Sequence, residues 1–198
     1  MLDYKLKIGL VPMRRHLADA ATRKGIFEPK KAWENKEKVL PYIKESFSDD
    51  KTEFTDLAFL NDEGLLFDPY DAPRVAEELK SQGVDAIFLI NCNFGSEEAA
   101  GQIAKLMGVP VLLWGPLDGG RYTDCQCGLF AISKQLKRLG VPFSYIENCR
   151  MTDGAFTDGM KKFLSVATMV KNFKTLRVTM VGTRLDPFKS VMSNELEL

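Results

Sequence analysis

The sequence predicts an α/β fold, a three-layer sandwich built on a five-stranded, parallel, doubly wound sheet in the order 2-1-3-4-5. Three observations lead there. Short β-rich runs alternate with helical patterns along all but the end of the 198 residues. Two of those runs, AIFLI at 86–90 and VPVLLW at 109–114, are nearly continuous in apolar residues, as strands covered on both faces must be. The run at 53–59 is diluted by Thr55 and Asp56, which sends it to an edge. Right-handed crossovers through the intervening helices then make the sheet parallel.

Each element follows in order. Residues 5–11 (KLKIGLV) read as the first strand. Residues 28–47 read as a helix, with Trp33, Val39, Tyr42, Ile43 and Phe47 forming a stripe, and Pro41 is expected to kink or split it. After the edge strand, Pro73 sits in the first turn of a helix capped by Asp71 or Ala72 and ending near Gly83. The third strand is 86–90. Ser96 caps the helix that follows, with Glu97 and Glu98 in its first turn and Gly108 at its end. The fourth strand is 109–114. A helix over 123–139 opens on Thr123-x-x-Gln126, the form of a capping box, and Gly140 ends it. A fifth strand at 143–146 and a fifth helix over 157–170 complete the domain.

The remaining segment, 175–198 (TLRVTMVGTRLDPFKSVMSNELEL), opens with an apolar strand around Val178, Met180 and Val181, turns at Gly182 and starts a helix. A strand and the first turns of a helix are half of a βαβ unit, which cannot bury its apolar face alone. The expected organisation is therefore one domain over 1–172 and, over 173–198, the opening strand and helix of an incomplete second α/β domain. That strand is expected to pair with a second copy or to pack on the first domain.

Composition removes several function classes. Lys plus Arg and Asp plus Glu are equal at 27 each, so no net charge draws the chain to nucleic acid or to an anionic membrane. No apolar run approaches a membrane span or a signal peptide. Four cysteines without a secretory signal favour reduced thiols and a cytoplasmic location. A single histidine, His16, leaves little for histidine-based metal or nucleophile chemistry. The first loop carries no G-x-G-x-x-G dinucleotide fingerprint, and there is no P-loop and no flavin-type phosphate loop. Cys92, Cys125, Cys127 and Cys149 all fall toward one edge of the sheet, yet no C-x-x-C pair exists and Cys125 and Cys127 diverge on a helix, so structural thiols are favoured over a metal cluster.

Ligands of open α/β sheets bind beyond the carboxyl ends of the strands. That rim carries Arg14, Arg15 and His16 after the first strand, Asn61, Asp62 and Glu63 after the second, and Asn91 to Gly95 after the third. Trp114, Gly115, Asp118 and Arg121 follow the fourth, and Glu147 to Arg150 the fifth. Arg14 and Arg15 are either solvated loop charges or forked donors for hydroxyl and carboxylate oxygens. Trp114 is either core filler or a flat wall for the apolar face of a sugar. Gly119 and Gly120, just before a helix, offer backbone N–H groups to a hydroxylated or anionic ligand.

The strings KIGLVPMRR, DAIFLINCNFGSEEAA, VPVLLWGPLDGGRYTDCQCG and RVTMVGTRLDPFKSVM, in this order, resemble the amino-terminal portion of the L-fucose isomerase and L-arabinose isomerase superfamily. The resemblance implies a flavodoxin-like first domain of an oligomeric aldose–ketose isomerase, with a divalent metal, usually manganese, held by later domains. It also implies that this domain reaches over a neighbouring subunit's active site. Arg14, Arg15, Phe94, Trp114, Gly115 and Arg121 would then face a sugar shared with that neighbour, and this chain would bind no cofactor itself. The loop after the third strand is aromatic-rich in the fucose isomerases and here offers only Phe94, which leaves the sugar open. The expected role is oligomerisation and substrate enclosure, without catalysis by this chain alone. The alternatives are a stand-alone module that binds a sugar or sugar phosphate, and an independent enzyme using Cys125 or Cys127.

Overall fold

The computed structural model describes residues 4–16, 27–117, 123–177, 179 and 181–182. Its sheet holds β1 (Leu6–Met13), β2 (Thr52–Thr55), β3 (Ala86–Asn91), β4 (Val111–Trp114) and β5 (Ser144–Tyr145) in the order β2-β1-β3-β4-β5. Every pairing is parallel, with Leu6 opposite Thr52, Ile8 opposite Ala86, Ile87 opposite Val111 and Leu112 opposite Ser144. The expected order and both edge placements stand. The reason is burial: all of β3 and β4 is buried, while β2 is partly exposed and β5 wholly so.

Alternate side chains of the central strands enter two separate cores. On one face Val11, Ile87, Leu89, Val111 and Leu113 meet α2 (Ala72–Ser81), α3 (Glu97–Met107) and α4 (Asp124–Arg138). On the other Leu10, Phe88, Ile90, Leu112 and Trp114 meet α1 (Pro29–Phe47) and α5 (Gly154–Lys174). Three layers result. Phe156 lies at the centre of the second core, fully buried, with ring centroids of Trp114 at 4.5 Å, Phe47 at 6.0 Å and Phe88 at 6.5 Å.

Several local expectations change. Pro41 does not split α1, which runs unbroken through it. Pro41 and Glu37 are both exposed, so the carbonyl left without a donor lies on the solvated side of the helix. Trp33 is 45% exposed and leaves the stripe, which Ala32, Val39, Leu40 and Ile43 form instead. A short 3₁₀ turn over Pro69–Asp71 precedes α2. Ser96 caps α3, its hydroxyl accepting from the Ala99 amide at 3.4 Å, and Gly108 closes that helix at φ +62°. Thr123 makes no capping bond, so the capping box does not form; its hydroxyl lies 3.8 Å from the Cys127 sulfur.

α5 extends past the 172/173 boundary to Lys174. Val178, Met180 and residues 183–198 lie outside the described residues, and with them most of the expected second-domain opening. Leu176 and Val181 are exposed and stand outside the sheet.

The packing around Phe156 makes it the residue on which the α5 face depends. Truncating a buried aromatic costs its transfer energy and leaves a cavity. Phe156→Ala is expected to lower the unfolding free energy by about 3–5 kcal/mol in urea titrations. A loss below about 1 kcal/mol would show that the second core closes without it.

Candidate functional site

Strand order reverses between β1 and β3, and the crevice beyond their carboxyl ends is where an open α/β sheet takes its ligand. Two consecutive arginines leave β1 there and do different things. The Arg14 backbone continues the sheet, its amide donating to the Leu66 carbonyl at 3.1 Å. Its side chain turns inward and is 10% exposed. The guanidinium grips Glu63 with both forks, Nε to Oε2 at 2.6 Å and Nη2 to Oε1 at 2.9 Å, and lies 3.6 Å above the Phe67 ring. Nη1 donates to the Arg15 carbonyl at 3.1 Å, so each of the three guanidinium nitrogens has a partner. His16 stacks on the same Phe67 ring at 5.6 Å and 11°.

Arg15 faces the other way. Its amide donates to Asn93 Oδ1 at 2.8 Å, and the same oxygen accepts from the Gly95 amide at 3.2 Å. One side-chain oxygen thus ties the loop after β1 to the loop after β3. The Arg15 side chain is 36% exposed, meets Glu97 at 2.5 Å and sits 5.2 Å from the Phe94 ring. Phe94 in turn receives the edge of Phe27, with centroids 5.1 Å apart. Phe27 has φ +56°, an uncommon conformation for a bulky residue, and its amide donates to Asp124 Oδ2 at 3.2 Å. Asp124 opens α4 and is itself buried.

Glycines let α4 close this wall. A Cβ on Gly128 would stand 1.9 Å from the Phe94 carbonyl oxygen, and one on Gly115 would stand 2.5 Å from that of Cys125. The loop after β4 is also tied to the loop after β5, with Asn148 Nδ2 donating to the Gly115 and Pro116 carbonyls at 2.8 and 3.1 Å.

The structure therefore divides the residues expected to face a sugar. Arg15 and Phe94 come together and keep exposed surface. Arg14 is close by but is spent on Glu63. Trp114 is fully buried against Phe156 and Phe88, so it is core and offers a ligand no face. Gly115 is buried beneath α4 and works by letting that helix approach. Arg121 lies outside the described residues, as do Asp118, Gly119 and Gly120.

Other residues matter that the sequence reading placed on the rim without a role, or did not place at all. Glu63 and Asn93 were in the rim loops, but their arginine partners are 49 and 78 positions away in sequence, beyond any local pattern. Phe67, Phe27 and Asp124 carried no signal. Asn91 is fully buried with neither amide atom hydrogen bonded, and Nδ2 of buried Asn93 is likewise without a partner.

None of the four cysteines is in a disulfide. Burial pushes the Cys92 thiol up to about 12 and raises that of Cys149 as well. Cys127 is exposed. Among the described residues, no group of three or more His, Cys, Asp and Glu is placed to hold a metal ion. No described helix is long and apolar enough to cross a membrane.

These features define an open α/β domain whose strand-end crevice presents a positioned guanidinium beside an aromatic ring. A family model described as the fucose/sulfoquinovose isomerase, N-terminal domain, matches residues 20–174, and the chain belongs to that family. No curated protein matches it. Among solved structures, a chain described as the solution structure of a phosphate-loop protein is 13% identical, with 83% of this chain and 93% of that chain covered and a TM-score of 0.31.

Two outcomes follow from the rim. Glu63→Gln leaves the inward-turned Arg14 guanidinium without its carboxylate, and is expected to cost about 1–3 kcal/mol in chemical denaturation while the far-ultraviolet spectrum is unchanged. The Cys92 thiol, raised from its ordinary 9.0, stabilises the fold fully below about pH 9 and loses that contribution as pH climbs toward about 12. The gap in unfolding free energy between the parent chain and Cys92→Ala should therefore narrow over that alkaline range. A gap independent of pH would show that the thiol ionises as readily folded as unfolded.

Proposed function

We propose that this chain is the N-terminal domain of a cytoplasmic aldose–ketose isomerase of the fucose/sulfoquinovose type, whose own work is oligomerisation and enclosure of a sugar shared with a neighbouring subunit. The match over residues 20–174 carries this reading. The rim supports it. Arg15 is held by Glu97 over Phe94, so a forked donor and an apolar ring face the same side of the crevice. A guanidinium suits a sugar hydroxyl or a sulfonate oxygen, and a ring suits the C–H face of a pyranose. Arg14 serves in this reading as a support that fixes where Arg15 stands, through its bond to the Arg15 carbonyl.

Moving hydrogen between C1 and C2 of an aldose needs a positioned acid–base pair and a means of polarising the carbonyl. Manganese, which the resemblance attributes to such isomerases, does not fit the described residues: no three His, Cys, Asp or Glu side chains converge among them, Glu63 and Glu97 are paired with arginines, and Asp124 accepts from the Phe27 amide. In the proposal the metal and the acid–base groups belong to other domains of the assembly.

The test uses the purified chain with L-fucose and sulfoquinovose. No turnover is expected with or without manganese, and titration with the metal should show no stoichiometric micromolar site. Millimolar sugar should shift the amide resonances of Arg15, Asn93 and Phe94, and Arg15→Ala should abolish those shifts. Turnover by the chain alone, or shifts that survive Arg15→Ala, would defeat the reading.

A further inference from the structure

The guanidinium that faces the crevice is not a lone cation. Arg15 Nη1 donates to Glu97 Oε2 at 2.5 Å, and the two side chains are open to solvent to a similar degree, 36% and 38%. The contact uses one atom of each group. Among the described residues the other guanidinium edge, Nε and Nη2, has no hydrogen-bond partner, and neither has Glu97 Oε1. Both side chains stand on fixed backbone. The Arg15 amide is held by Asn93 Oδ1. Glu97 is the first residue of α3, just past its buried Ser96 cap, where the macrodipole favours a carboxylate. Exposed Glu98 adds a second carboxylate to the same turn. Arg14, the neighbouring cation, is matched by Glu63. The Arg15 charge is therefore met before any ligand arrives. What stays open is a donor edge beside an acceptor oxygen, with the Phe94 ring 5.2 Å from the guanidinium.

We infer that the Arg15–Glu97 pair reads two neighbouring hydroxyls of an uncharged sugar and selects against a sugar bearing an anion there, so that Glu97 sets the substrate class. The inference rests on the sugar-enclosing reading given under Proposed function and narrows it from a hydroxyl or a sulfonate to a neutral polyol. An alcohol both gives and accepts a hydrogen bond. One hydroxyl accepts from Arg15 Nε or Nη2, and the next donates to Glu97 Oε1. Both bonds are charge-assisted, and the C–H face of the sugar lies on Phe94. A sulfonate fulfils only the first half of this arrangement. It has no hydrogen to give, so Glu97 Oε1 stays unmatched. It also brings negative charge beside the carboxylate that already neutralises the guanidinium. The discrimination thus has a repulsive element as well as an attractive one.

Amide chemical-shift titrations of the full chain with quinovose and sulfoquinovose, which differ only by the sulfonate, test it. Quinovose should bind at least about threefold more tightly at low ionic strength, the margin closing as salt screens the Glu97 charge. Glu97→Gln should move the two sugars in opposite directions, weakening quinovose and strengthening sulfoquinovose by about threefold or more each. Glu98→Gln removes the neighbouring carboxylate without touching the pair, and should change the ratio by less than about twofold. A parent chain that prefers sulfoquinovose overturns the inference and leaves the enclosure reading intact. So does a Glu97→Gln chain in which both sugars shift the same way, or a Glu98→Gln chain whose ratio moves as far as that of Glu97→Gln. Binding of neither sugar, nor of L-fucose, defeats the enclosure reading and this inference with it.

Discussion

A strand buried on both faces has to be apolar at every position, and β3 meets that demand from Ala86 to Ile90 before breaking it at Asn91. The central place of β3 determines much else. Its odd and even side chains seed two cores, which then claim α2, α3 and α4 on one side and α1 and α5 on the other. Where the apolar run ends, the chain can no longer hide its polar groups in the sheet. Asn91 and Asn93 sit at that transition, still out of solvent but beyond the hydrocarbon layer. The crevice starts there because burial of apolar side chains stops there.

The arginine pair shows how the rim converts strand geometry into function. Adjacent residues leaving a strand point to opposite sides. Arg14 and Arg15 therefore cannot both face a ligand, and their partners reflect this. Arg14 takes Glu63 and Phe67 on the β2 side, and Arg15 takes Asn93, Phe94 and Glu97 on the β3 side. An identical pair of residue types yields one structural support and one exposed donor. Asn93 joins the halves, because a single oxygen accepts from the backbone on each side of the crevice. Its place is set by the rigid end of β3, so Arg15 inherits that rigidity at one remove.

What could be read from sequence followed the reach of the physics involved. Strand order was legible because double-sided burial imprints an unbroken apolar run, and the dilution at Thr55 and Asp56 marks an edge. The Ser96 cap was legible because capping is local. Thr123 looked equally good and failed, since a capping box needs the backbone geometry as well as the residue types, and Thr123 has φ −94° and ψ 56°. Trp114 misled for a related reason. A strand end is equally a rim and the top of a core, and only the arrival of Phe156 from α5 decides that the indole is core. The Arg14–Glu63 and Arg15–Asn93 bonds join segments far apart in sequence, and no local pattern encodes them.

The two ends of the molecule then differ in kind. At the strand ends polar side chains are densely wired and small residues such as Gly115 and Gly128 permit close approach of α4. At the base, the ends of α3, α4 and α5 leave an apolar groove with few polar groups to satisfy. Apolar surface drives association without demanding exact direction, whereas charged and amide groups give orientation and selectivity. The two surfaces lie at opposite ends of the strands, so a contact made at the base leaves Arg15 and Phe94 uncovered.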